Sequence, residues 1–414
     1  MSTKIKIRDL ADPILTDFQS ISKEYGEQNK PDLSVDKILD VASNNTGLDH
    51  YGDEKFIERL NILINAIALD RGLAGLGQLG IINDQIRYLE NRLRFEDFKK
   101  QNPEFRNEKI ENPIIIIGLP RSGTTHLLNL IASDTRIKSM PYWESRYPIP
   151  WNDDMDRSRN DPRVISAFDE YKNFLESMPL LKSMHDMHPD HIHEEIELQA
   201  LDFSTYLPEW LACVPDWRDY YLNLNQLDHY RYLKEMLKAM QFISGPKRWV
   251  LKSPQHLEQI DPLIQTFPNA TFIITYRDPL SVVLSIATML SYGDRVRRYS
   301  VDPKQNFSYW EDRIEILLKR FVSNSHLIPR DQRVDVFFQS FIKNNLKLIK
   351  EVYSKSSINL DKNTLKRLNK YIADHQRGKD GQVIYKLDDF DVNKRSFYKK
   401  FSFYLEEYNL AIED

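Results

Sequence analysis

The segment Gly118-Leu119-Pro120-Arg121-Ser122-Gly123-Thr124-Thr125 gathers the groups that hold an anion. Two glycines let the chain turn sharply, Ser122, Thr124 and Thr125 offer hydroxyl donors, and Arg121 brings a guanidinium that calls for an anionic partner. With a strand ending near Gly118 and a helix starting near Thr124, free backbone N–H groups and the helix dipole converge on one point. The glycine spacing follows the phosphate loop of nucleotide hydrolases, but Thr124 stands where that motif needs the lysine that reaches the β- and γ-phosphates. This substitution weakens a kinase or NTPase reading. A plain strand-to-helix turn explains the glycine pair alone; it gives no role to Arg121.

Three more groups carry chemistry. Arg277-Asp278-Pro279 stands at the end of an apolar run, with Ser285 eight residues after Arg277. Taken alone, it reads as a strand-exit turn with an Arg277 to Asp278 ion pair. Lys252 and His256 lie in Trp249-Val250-Leu251-Lys252-Ser253-Pro254-Gln255-His256-Leu257, and offer a cation and a general base; their structural alternatives are a solvated lysine and a packing histidine. Glu144-Ser145-Arg146 supplies either a second base or an internal ion pair. His185, His188, His191 and His193, with Glu194, Glu195 and Glu197, form a metal-like cluster that matches neither His-Glu-x-x-His nor a cysteine-bearing zinc site, so the sequence predicts no metal.

The loop resembles that of the sulfotransferases that use 3'-phosphoadenosine 5'-phosphosulfate, in the branch reading Pro-Arg-Ser-Gly-Thr-Thr, shared with tyrosylprotein and many bacterial enzymes. Cytosolic members usually carry Lys in place of Arg121. The resemblance implies that Arg121, Ser122, Gly123, Thr124 and Thr125 hold the 5'-phosphosulfate, and that Arg277 and Ser285, at the family's spacing, hold the 3'-phosphate. Lys252 corresponds to the transition-state cation in both branches. His256 matches the base of the cytosolic enzymes, with Pro254 and Gln255 inserted before it, while Glu144 matches the proposed base of the tyrosylprotein enzymes, with two extra residues intervening. Arg377-Gly378-Lys379 is similar, in a different order, to the basic element that closes over the 3'-phosphate; a solvated basic turn is the alternative. Acids in related bacterial sequences at the equivalent of Glu194 and Glu195 place that region at the acceptor pocket. The expectation is sulfonate transfer, without metal, to a small hydrophobic or aromatic alcohol. The alternatives are a P-loop nucleotide kinase or NTPase and an inactive nucleotide-binding protein.

The elements that must position these residues are legible as changes of period. Phe56, Leu60, Leu63, Ile64 and Ile67, then Ile82, Ile86, Leu89 and Leu93, recur at helical spacing and predict a helical layer over residues 1–111. Asn112-Pro113 ends that pattern, and Ile114 to Ile117 is a β-branched run expected of a strand buried on both faces. Arg248 to Leu251, Ala270 to Tyr276 and Val334 to Phe338 are further strands, and the stretch from about 153 to 245 reads as a helical insertion, with a helix from Glu194 to Leu201. The fold class is therefore α/β: a P-loop-type three-layer sandwich with a central parallel sheet over 112–414, whose ligand site lies at the carboxyl ends of the strands. The charged and aromatic tail from Asp380 is too apolar to be disordered.

Composition narrows the partners. A length of 414 residues and 41% hydrophobic content can bury a large core. A net charge of -4 supplies no bulk basic field for nucleic acid. No apolar run reaches membrane-spanning length and no signal peptide is evident, and the single cysteine, Cys213, suits a reducing compartment. A cytoplasmic location is the expectation.

Overall fold

A computed structural model describes residues 3–151, 160–376 and 378–413. The β-branched runs form the sheet expected of them: β2 (Ile114–Gly118), β3 (Ile137–Lys138), β4 (Arg248–Lys252), β5 (Thr271–Tyr276) and β6 (Arg333–Phe337) pair in the order β3-β4-β2-β5-β6, all parallel. A separate two-residue parallel ladder joins β1 (Lys4–Ile5) to β7 (Gln382–Val383). Four core strands lie where periodicity places them. The edge strand β3 is too short to show any pattern.

Alternate residues of β2 enter two different cores, as period-2 geometry requires. Ile114 and Ile116 pack with Leu127, Ile131, Val250 and Ile273. Ile115 and Ile117 join the larger core, which continues without a break into Phe56, Leu60 and Ile67 of the N-terminal helices. The result is a three-layer α/β sandwich onto which the helical layer is welded. That layer comprises α1 (Asp17–Gln28), α2 (Val35–Thr46), α3 (Phe56–Leu69) and α4 (Gly75–Gln101). Gly77 of α4 fits so closely that an added Cβ would meet the Arg297 carbonyl oxygen at 2.4 Å.

Within the insertion, helices cover Pro162–Ser177, Ile196–Ala200, Pro215–Asn223 and Leu227–Ser244. The predicted helix at Glu194 is shorter than expected and leaves Glu194 and Glu195 in the approach to it. The strand order reverses at β2, which has β4 on one side and β5 on the other. The turns that follow these three strands therefore converge, and they are the segments that carry Arg121, Lys252 and Arg277.

Candidate active site

The loop after β2 is locked by its own chemistry. A Cβ on Gly118 would lie 1.8 Å from Thr275 Oγ1, so only glycine fits beside β5. Ser122 Oγ shares a hydrogen bond with Thr275 Oγ1 at 2.7 Å and donates to the Leu119 carbonyl. Gly123 has φ +85° and faces Phe338, and it caps α5 (Thr124–Ala132). Arg121 itself adopts φ +67°, a left-handed conformation unfavourable for a side-chain-bearing residue.

That conformation aims Arg121 at the segment that carries Arg277 and Ser285. Its Nε donates to Ser285 Oγ at 2.9 Å, and Ser285 Oγ donates in turn to the Tyr385 hydroxyl at 2.9 Å. Burial pushes the Tyr385 phenol up, but the charges of Arg121 and Arg277 and the bonds to Ser285 and Arg121 outweigh it and hold the phenol below its ordinary value. Arg277 donates to the Arg121 carbonyl, lies over the Phe338 ring, and is gripped by Glu413 through both carboxylate oxygens. Asp278 forms no pair with Arg277 in the arrangement found. It caps the helix Pro279–Arg297 through Leu280 N–H and also accepts from the Tyr398 hydroxyl and Glu413 N–H. Arg121, Ser285 and Arg277 thus come together as the motif spacing requires. Tyr385 and Glu413 escape sequence reasoning because only tertiary folding brings them in.

Lys252 projects from the end of β4. Its Nζ lies 2.7 Å from Glu194 Oε1 and donates to Thr125 Oγ1 at 3.4 Å, linking the loop helix to the insertion. Burial raises the Glu194 carboxyl above the ordinary range, against the opposing pull of Lys252. The neighbouring Glu195 has a different task. Its Oε2 accepts the Lys252 backbone N–H at 2.6 Å, and its Oε1 binds His256 Nε2 at 2.6 Å.

The two sequence candidates for a base sit elsewhere. His256 is 1% exposed, with Nδ1 bonded to the Tyr230 hydroxyl at 2.8 Å and Nε2 to Glu195. Both ring nitrogens are engaged, so His256 has no lone pair aimed at a cavity; it braces Glu195 instead. Pro254 and Gln255, the insertion before it, belong to a short 3-10 turn that carries the histidine inward. Glu144 is buried against Lys138 at 3.4 Å, and Arg146 pairs with Glu170 and Asp84. Neither His256 nor Glu144 is on the wall of the cavity at the loop.

That cavity, of about 480 Å³, starts at Arg121, Thr124, Thr125, Lys252 and Glu194 and extends along α4. His185 and His193 also line it, and with Glu194 their ligand atoms lie within 4.8 Å of one another, close enough for a divalent cation. Burial, then Arg121 and Lys252, push His185 down to about 3, while burial, then His185 and Lys252, hold His193 well below its ordinary value. Burial is the larger cause in both, and it favours the neutral imidazole. Gly378, at φ +78°, and Lys379 form a turn leading into β7 and on to Tyr385; Arg377 lies outside the described residues.

An arginine-bearing anion loop after β2 thus has a second arginine on one side, after β5, and a buried lysine–glutamate pair on the other, after β4. The model of the sulfotransferase family matches residues 113–362, and the chain belongs to that family. Its fold is similar to the crystal structures of sulfotransferase STF9 from Mycobacterium avium (TM-score 0.83, 21% identity, covering 93% of this chain and 99% of that one) and sulfotransferase STF1 from Mycobacterium tuberculosis (0.79, 23%, 89% and 98%). A search of the curated proteins gives no match.

Proposed function

We propose that this sulfotransferase moves the sulfonate of 3'-phosphoadenosine 5'-phosphosulfate to the hydroxyl of a neutral, apolar alcohol, with Glu194 as the base. The observation that carries this reading is the Lys252 ammonium, which stands between Thr125 of the anion loop and Glu194 on the wall of the acceptor cavity. The donor is held by the loop from Arg121 to Thr125 at the phosphosulfate, and by Ser285 and Arg277 at the 3'-phosphate. Gly378, Lys379 and, from its place in the sequence, Arg377 belong to the segment that closes over that phosphate. Three cations, Arg121, Lys252 and Arg277, meet two carboxylates, Glu194 and Glu413, so the site gains from receiving a polyanion.

In the transfer step the acceptor O–H gives its proton to Glu194 as its oxygen attacks sulfur in line. The bond from sulfur to the bridging phosphate oxygen breaks, and its electron pair stays on adenosine 3',5'-bisphosphate. Lys252 and Arg121 stabilise the negative charge that grows on that bridging oxygen. The products are the sulfate ester and the bisphosphate. Glu194 takes this role in place of His256 and Glu144 because it alone of the three faces the cavity and keeps an oxygen near the lysine.

Thermal stabilisation tests the donor. Adenosine 3',5'-bisphosphate should raise the melting temperature while ATP with Mg²⁺ leaves it nearly unchanged. The reverse pattern would favour a nucleotide kinase.

A further inference from the structure

Resting on the sulfonate-transfer reading, we infer that Gly80 sets the acceptor's size: the open face that it leaves on α4 accommodates a neutral alcohol with a bulky apolar body. Leu76, Gly77, Gly80, Ile81, Asp84 and Tyr88 recur on one face of the helix, and all line the cavity that begins at Lys252 and Glu194. From Leu76 to Tyr88 this wall is about 18 Å long at 1.5 Å per residue. It is longer than a simple phenol needs.

Gly80 is the anomaly on that wall. It lies inside a 27-residue helix with ordinary helical backbone, where glycine weakens the helix relative to alanine. The other cavity glycines are crowded, Gly77 by backbone and Gly293 by the end of a side chain. A Cβ on Gly77 would strike the Arg297 carbonyl at 2.4 Å, and one on Gly293 would meet the Arg297 guanidinium at 2.7 Å. A Cβ on Gly80 meets nothing within 4 Å. Packing therefore does not demand glycine there; Gly80 is exposed and lines the cavity on its open side.

The charges on the distant walls identify the chemistry of the occupant. Arg146 pairs with Glu170 and Asp84, Arg87 with Glu197 and Asp84, and Arg297 with Asp294, so every cation there is already matched. No cation among these is left to recognise an anionic acceptor, while Leu76, Phe174, Met178, Trp210 and Met289 supply apolar surface. The polar end is confined to Glu194, Lys252 and the two neutral histidines, which is where the hydroxyl must go.

Direct binding of a labelled 3β-hydroxysteroid and of 1-dodecanol, each with saturating adenosine 3',5'-bisphosphate, tests this. Wild type should bind at least one of them. Gly80→Leu should melt at or above the wild-type temperature, keep the bisphosphate-induced shift, and bind the same probe at least tenfold more weakly, with Gly80→Ala intermediate. A folded Gly80→Leu that binds the probe as wild type does would overturn the inference, as would a wild type that shows the bisphosphate shift but binds neither probe. Misfolding of Gly80→Leu counts against it too, because the side chain would then have met packed atoms. Absence of the bisphosphate shift in wild type would instead overturn the sulfonate-transfer reading.

Discussion

Glu413 accepts two hydrogen bonds from Arg277, one from Nε and one from Nη2, each 3.0 Å long. This bidentate grip occupies the guanidinium assigned to the 3'-phosphate, so the nucleotide must displace a carboxylate of like charge. Glu413→Gln keeps the shape and removes the charge. Affinity for adenosine 3',5'-bisphosphate should rise by about 5- to 30-fold, equivalent to about 1–2 kcal/mol, as read by calorimetry. An unchanged or weaker affinity would show that Glu413 and the 3'-phosphate do not compete.

If Glu194 is the base, its carboxyl should set the acid limb of turnover. Burial raises it, so it holds its proton to a higher pH than an ordinary carboxylate, and while protonated it cannot accept another. kcat/KM should therefore climb with pH through a midpoint above the usual carboxylate range. Glu194→Gln should lower kcat by about 10²-fold or more and abolish that limb. A Gln variant with a wild-type profile would place the base elsewhere.

His256 should behave as a brace. Removing it leaves the fully buried Glu195 short of a partner, which costs about 3–5 kcal/mol and lowers the melting temperature by about 3–6 °C in a chain of this length. His256→Gln, which can still donate to Glu195, should recover most of the stability and the turnover. The acid limb should persist in His256→Gln with its midpoint unmoved; its disappearance would restore His256 as the base.

Gly118 and Thr275 form a coupled pair. Gly118→Ala drives a methyl group into Thr275 Oγ1 at the centre of the sheet and should prevent soluble expression. Adding Thr275→Ala removes that oxygen and leaves the next contact at 3.1 Å, so the double variant should regain a cooperative thermal transition. Independent effects in the two single variants would contradict this geometry.

The fold was legible where composition forces one answer. Ile114 to Ile117 cannot sit at a surface, and the loop after it announces an anion site through its residue types. Arg277 and Ser285 converge on Arg121 because eight residues span a strand exit and two turns of helix, a local geometry that spacing does encode. The Lys252 to Glu194 pair was not legible, since the partners lie 58 positions apart and no pattern states which acid faces inward. Likeness to the cytosolic enzymes offered His256 as a base, yet the two extra residues before it carry the ring into the core, where Tyr230 and Glu195 use both nitrogens. Tyr385 and Glu413 reach the site from a tail in which neither carries a motif.

The positive φ of Arg121 sets stability against function at a single residue. A left-handed arginine costs about 1–2 kcal/mol that glycine would not, a gain offset in part by the lost bond to Ser285. Arg121→Gly should thus fold about as well as wild type while no longer holding the donor. Folding alone would tolerate glycine at position 121, so an arginine there fits the donor-holding role proposed for it.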